Sequence, residues 1–258
     1  MRCRGLQPIS RPPADKTLAR RQPFQAQLGQ LPETKIPMPE GNTPEPPTAP
    51  APAPAVHHAG PIEFEDVVAA MRRLGHRVFD RGNFNLNVVG IRRTATRVNA
   101  FNDVLISFYP LNGQWMYTKF QITTLPGITF LRDHLGHAAG TAILVPDQYR
   151  GKYCVRLHDD AYEAFCQKQD PGVFVQVFRD SRLNGVPEMD PDTITNARGI
   201  NIHRANPSNC TVSVDEFSAG CQVFRCAAQF DSFMAQVRQS QRIFGNSFTY
   251  TLLAESEL

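Results

Sequence analysis

Ten of the chain's 21 prolines fall between Pro32 and Pro61, and the run closes with TPEPPTAPAPAPAVHHAG. Alternating Ala-Pro has too few backbone donors for a helix or a ladder and favours an extended polyproline II course. A packed core must therefore be built from the residues beyond Pro61. Residues 1–60 are expected to form a disordered basic, proline-rich arm that acts as a semi-rigid tether. The arm either holds a domain off a larger body or is an unselected tail. Arg2, Arg4, Arg11, Lys16, Arg20 and Arg21 supply positive charge for an anionic surface or simply for solvation. His57-His58 is a weak metal signal and is discounted.

From Pro61 the pattern becomes regular. Phe64, Val67, Val68, Met71 and Leu74 recur at helical spacing, with acids early, Arg72-Arg73 late and Gly75 as a stop. This predicts a lead-in helix within 61–82. From Asn83 the period shifts to two. FNLNVVGIRR alternates, and DVLISFYPLNGQWMYTKFQITT gives two strands around Asn112-Gly113, a strong hairpin turn. Phe108, Trp115, Tyr117 and Phe120 are read as core or cross-strand packing, with an aromatic ligand platform as the alternative. Gly140-Thr141-Ala142 predicts a loop entering a strand. DDAYEAFCQK predicts a helix capped by Asp159 or Asp160, and VFVQVFRD a strand. Asp180 to Asp192 reads as an oxygen-rich solvated turn whose spacing is not that of an EF-hand. Val223 to Phe244 reads as a helix with Phe230, Phe233, Met234, Val237 and Ile243 on one face, Gly245 as its end, and SFTYTLL as a closing strand. The fold class expected is mainly β with a few helices, in one domain over 83–258.

The chemistry concentrates in GINIHRANPSNCTVSVDEFSAGCQVF, residues 199–224. A short apolar run ends in His203, fourteen residues intervene, and then comes Ser218-Ala219-Gly220-Cys221. A cysteine attacks a carbonyl when a nearby base takes its proton, and His203 is the candidate base. Gly220 permits close backbone approach, and the amides of Gly220 and Cys221 are candidate oxyanion donors. Ser218 is a candidate orienting hydroxyl. A buried small cysteine and a satisfied strand histidine are the structural alternative.

This stretch resembles the active-site motif of the L,D-transpeptidase (YkuD-like) catalytic-domain family. That motif is a glycine-containing strand ending in His, a loop, then Ser-His-Gly-Cys, usually with Arg or Asn two places on. His203, Ser218, Gly220 and Cys221 match, whereas Ala219 replaces the second histidine and Val223 the Arg or Asn. A weaker likeness spans 84–253. The resemblance implies a β-sandwich domain and a Cys221 thioester formed on peptidoglycan stem peptides. The thioester would pass to an amine or to water, as in L,D-transpeptidases, L,D-carboxypeptidases or endopeptidases. It implies a substrate groove bordered by Gly140 and Thr141. Arg204 and Arg225, flanking the motif, are candidates for a substrate carboxylate, although solvated arginines are common. The missing histidine and the tether favour degradation over cross-linking, as in a phage-associated wall hydrolase.

Composition limits the alternatives. The 258 residues carry 27 basic against 24 acidic side chains, a net charge of +3, without the concentrated basic face of a nucleic-acid binder. No apolar run approaches the roughly 18 residues of a membrane span. The basic N-terminus lacks an apolar signal core, so arrival at a cell wall is expected by lysis or on a particle. The six cysteines include no C-x-x-C pair, so mostly reduced thiols are expected, with a Cys210–Cys226 bridge possible across the motif loop. No cofactor is implied. Two other functions stay open: a non-catalytic wall-binding or virion structural domain, and a zinc-dependent amidase using His134, His137 and His158.

Overall fold

The structure is a computed structural model, and it describes residues 34–37, 61–95 and 97–258. It is mainly β. Strands run in the order β1 (Thr34–Pro37), β2 (Asn87–Arg92), β3 (Asp103–Leu111), β4 (Gln114–Thr123), β5 (Thr141–Leu144) and β6 (Asp147–His158). They continue with β7 (Tyr162–Gln167), β8 (Val175–Asp180), β9 (Thr195–Ala197), β10 (Ile202–Arg204), β11 (Gln222–Phe224) and β12 (Phe248–Ala254). Helix α1 spans Phe64–Arg73 and α2 spans Ala227–Phe244.

The main sheet has the order β4-β11-β10-β7-β6-β12-β2-β3, and β3 pairs back onto β4, so these strands close into a ring. The closed sheet, with a separate three-stranded sheet β5-β8-β9, stands where two facing sheets of a sandwich were expected. Closure removes the free edges that an open sheet must protect. β1 pairs antiparallel with β4, Thr34 opposite Tyr117. Thr34–Pro37 is thus a strand inside the arm that was expected to be disordered throughout. It is rich enough in extended-favouring residues to add to an existing ladder. The rest of the arm, with His57-His58 and its basic residues, lies outside the described residues.

The β3–β4 hairpin forms as expected. Asn112 and Gly113 both sit in the left-handed region, φ 51° and 77°, and Leu111 faces Gln114. Both faces of β2 and β3 are buried. Val88, Leu105 and Tyr109 join the interior cluster, whereas Val89, Ile91, Ile106 and Phe108 lie under α1 with Phe64, Val67 and Met71. The expected aromatic packing role of Phe108, Trp115 and Phe120 holds, since all are buried. Helix α2 lays Phe230, Phe233, Met234 and Val237 on the interior cluster beside Phe120, Phe165 and Phe224. Ile243, expected on that stripe, is 51% exposed because it lies past the last inward turn. The helix also starts later than expected, since Gln222–Phe224 is strand β11.

DDAYEAFCQK is a strand, not a helix. Tyr162–Gln167 pairs with β6, and Asp159 and Asp160 form the hairpin turn with φ 49° and 54° instead of capping a helix. Aspartate tolerates that left-handed turn. Pairing with β6 on one side and β10 on the other outweighs the helical preference of Ala and Glu. The 180–192 segment is the turn expected, with the Asp180 carboxylate accepting from the amides of Arg182 and Glu188.

Two buried polar arrangements bind the small sheet to the ring. The Arg92 guanidinium donates to Thr124 Oγ1 at 2.9 Å, Thr124 O at 3.0 Å and Leu144 O at 2.9 Å, tying β2 to the end of β5. Asp103 accepts from the Thr124 amide and hydroxyl and from the Arg93 amide. At the other end, Gln167 donates to Ala197 O and accepts from the Ile200 amide, and Asn201 Oδ1 accepts from the Gln167 amide. Buried amides satisfied this way hold the 197–201 connection in one course. Among the described residues no helix is long and apolar enough to cross a membrane.

Candidate active site

Strands β10 and β11 run parallel and adjacent, Ile202 opposite Gln222, His203 opposite Val223 and Arg204 opposite Phe224. Side chains alternate along a strand. Ile202 and Phe224 enter the interior cluster, whereas Val223 packs on the other side with Phe101, Val214 and Cys221. His203 is the register partner of Val223, and Cys221 immediately precedes β11, two residues before Val223. A disulfide ties Cys210, in the loop joining the two strands, to Cys226, just past β11, with Cα atoms 3.9 Å apart. The bridge possible from sequence is therefore present, and Cys154, Cys166 and Cys221 are free thiols.

Ser218 and Gly220 build the turn that presents Cys221. The fully buried Ser218 hydroxyl donates to Cys221 O at 2.8 Å and accepts from the Gly220 amide at 3.2 Å. Gly220 has φ +129°, and a Cβ there would lie 2.5 Å from Ala142 O. The space gained by this glycine is filled by the chain's own β5. Its amide, expected to face a substrate oxygen, donates to Ser218 Oγ in this structure.

Cys221 is half-buried and lines an open cavity of about 460 Å³. Its Sγ donates to Gly199 O and accepts from the Asn201 amide, both at 3.4 Å. One side of the residue reaches the cavity, but the sulfur's surroundings are packed. That burial pushes its pKa up to about 11, against the pull of the Asn201 amide and with a smaller push from Asp159.

His203 is buried and is not among the residues that line the cavity. Its Nδ1 lies 3.0 Å from Arg204 O. A carbonyl only accepts, so Nδ1 carries the hydrogen and Nε2 the lone pair. Burial first, and His158 second, bring its pKa down to about 4. His158 stacks on it with ring centroids 4.4 Å apart, and Asn201 Nδ2 lies 3.4 Å from His158 Nδ1. At neutral pH the resting state is a neutral thiol and a neutral imidazole.

The other expected site residues are distributed. Gly140 and Thr141, expected to border the groove, are not among the residues that line the cavity, and Thr141 is fully buried. Thr141 Oγ1 donates to Phe130 O and accepts from the Gly136 amide, which shapes the loop bearing His137 on the cavity wall. Arg204 lies over the Tyr162 ring at 4.2 Å and faces Asp231. Arg225 donates to Thr211 O and Gln121 Oε1. Neither arginine lines the cavity, because both are committed to holding neighbouring strands. His134 packs against Phe130, His137 Nδ1 accepts from the Ala139 amide, and His158 stacks on His203. Among the described residues no group of three His, Cys, Asp or Glu side chains is placed to hold a metal.

Sequence reasoning missed Arg179 and Arg198, which line the cavity with Cys221. Arg198 immediately precedes the motif and was open to notice. Arg179 arrives from β8 through tertiary pairing alone. It also missed His158 as the ring packed on His203. The chain matches no protein-family model, no curated protein and no solved structure.

Proposed function

We propose that this chain carries out cysteine-dependent acyl transfer or hydrolysis on peptidoglycan stem peptides, of the L,D-transpeptidase, L,D-carboxypeptidase or endopeptidase type. The observation that carries the reading is Cys221 on the wall of an open cavity, with His203 on the adjacent parallel strand. The cavity, about 460 Å³, is within the usual range for a small-ligand site. In the proposed step the Cys221 hydrogen moves to His203 Nε2 as Sγ bonds to the scissile carbonyl carbon. The imidazolium returns that proton to the leaving amine as the C–N bond breaks. Water or an acceptor amine then cleaves the thioester. Because thiol and ring rest neutral, proton transfer accompanies attack instead of preceding it. The thiol hydrogen must turn from Gly199 O toward the ring, a closure that commonly awaits substrate.

A second reading is a non-catalytic wall-binding or virion structural domain that keeps the fold. It is favoured by the Gly220 amide being spent on Ser218 and by the elevated thiol. Mass spectrometry of purified muropeptides after incubation separates the two, since it reports bond and acceptor together. The enzymatic reading expects a changed muropeptide profile that thiol alkylation abolishes and chelation does not. Full cleavage by Cys221→Ala would eliminate it.

A further inference from the structure

The Cys221 cavity is charged on one sign only. Arg179, from β8, and Arg198, from the β9–β10 connection, both line it, and none of its lining residues carries a carboxylate. Arg179 Nε donates to Thr195 Oγ1 at 2.9 Å and Nη1 to Gly140 O at 3.2 Å. Those bonds fix the plane of the guanidinium and leave Nη2 unspent among the described residues. Arg198 is braced by Nη1 on Gln169 O at 2.7 Å and by its guanidinium lying 4.6 Å over the Phe174 ring. Among the described residues neither arginine forms an ion pair with an Asp or Glu.

Two oriented guanidinium groups with no internal counter-ion, beside a free thiol, are an anion-binding arrangement lacking its anion. Burial also lowers the Arg179 pKa from its ordinary value, so the protein leaves a partly desolvated charge uncompensated. Planar guanidinium donors match a carboxylate in a forked geometry. Val223, at the position where the resembled motif carries Arg or Asn, is fully buried and cannot reach a ligand.

We propose that Arg179 and Arg198 form a carboxylate clamp that selects the acyl donor presented to Cys221. This rests on the stem-peptide reading and adds the specificity determinants to it. Both arginines are binding residues and take no part in bond making.

The test uses the full chain as Cys221→Ala, so that binding is read without turnover. The probes are the tetrapeptide L-Ala-γ-D-Glu-diaminopimelate-D-Ala with free carboxylates and the same peptide with its diaminopimelate and D-Ala carboxylates amidated. The free acid is expected to bind at least about tenfold tighter, the scale of one lost charge-assisted hydrogen bond. Adding Arg179→Ala or Arg198→Ala should erase that preference, and Arg179→Lys or Arg198→Lys should restore part of it. Arg238→Ala, on the exposed side of α2, should leave it intact. Thermal melts confirm that each variant folds. Equal binding of acid and amide by folded Cys221→Ala, or an unchanged preference in both alanine variants, overturns the clamp.

Turnover by the unsubstituted chain separates this from the parent reading. Cleavage of both peptides at equal rates sinks the clamp and keeps the enzyme. Arginine-dependent preference without cleavage keeps the clamp and sinks the enzyme. Failure of Cys221→Ala to bind either peptide overturns the clamp for this substrate class.

Discussion

His158 and His203 stack with ring centroids 4.4 Å apart at an angle of 30°, although they come from β6 and β10 and are separated by β7. The stack puts a buried ring against a more accessible one, and His158 adds to the burial that keeps His203 neutral. A proton on His203 would be buried and would face a second imidazole, which is costly.

A pH dependence of stability follows from the burial of His203, with His158 adding to it. His203 has its pKa brought down to about 4 from an ordinary value of 6.5. The unfolded chain therefore binds more protons than the folded chain between those values. The stabilisation is fully present above pH about 6.5 and is lost as pH falls toward 4. Its size is about 3 kcal/mol, at roughly 1.4 kcal/mol per unit. Urea denaturation from pH 7.5 to 4 should show this loss, and His203→Gln should flatten it. An unchanged slope in the variant would refute the assignment.

Cys221 should be a slow thiol. With its pKa pushed up to about 11, little thiolate exists at pH 8. Iodoacetamide alkylation at pH 8 should be slower at Cys221 than in the urea-unfolded chain. Its rate should keep rising to about pH 11, as tracked by mass spectrometry of the labelled peptide. A rate that levels off below pH 8 would show an activated thiolate instead.

The Cys210–Cys226 disulfide closes a loop with a sequence separation of 16. Loop-closure entropy assigns such a bond about 3 kcal/mol. Cys210→Ala with Cys226→Ala should lower the denaturation free energy by that order. It should also slow any turnover, because the loop it closes carries Ser218, Gly220 and Cys221. Equal stability of the oxidised and reduced chains would contradict this.

Gly220→Ala should damage the site more than its size suggests. The substitution adds a Cβ 2.5 Å from Ala142 O at a φ of +129°. The strained backbone alone costs about 1–3 kcal/mol, and relief requires moving the turn that carries Cys221. Unchanged stability, together with an unchanged alkylation rate at Cys221, would show that the turn yields freely.

Sequence alone determined those features set by neighbours a few residues away. The helical spacing of Phe64, Val67, Val68 and Met71 yields α1, Asn112-Gly113 yields the hairpin, and the alternation around Phe248–Ala254 yields β12. The spacing of His203, Ser218, Gly220 and Cys221 was equally local. Tertiary structure decided what depends on distant partners. Tyr162–Gln167 became a strand because β6 and β10 offered unpaired backbone on both sides. Arg179 reached the cavity because β5 and β9 pair with β8. Arg204 and Arg225 left it because their guanidinium groups were taken up by other strands. Local pattern sets which dihedrals a segment prefers, whereas site composition depends on sheet register, and register is settled only when the whole ring closes.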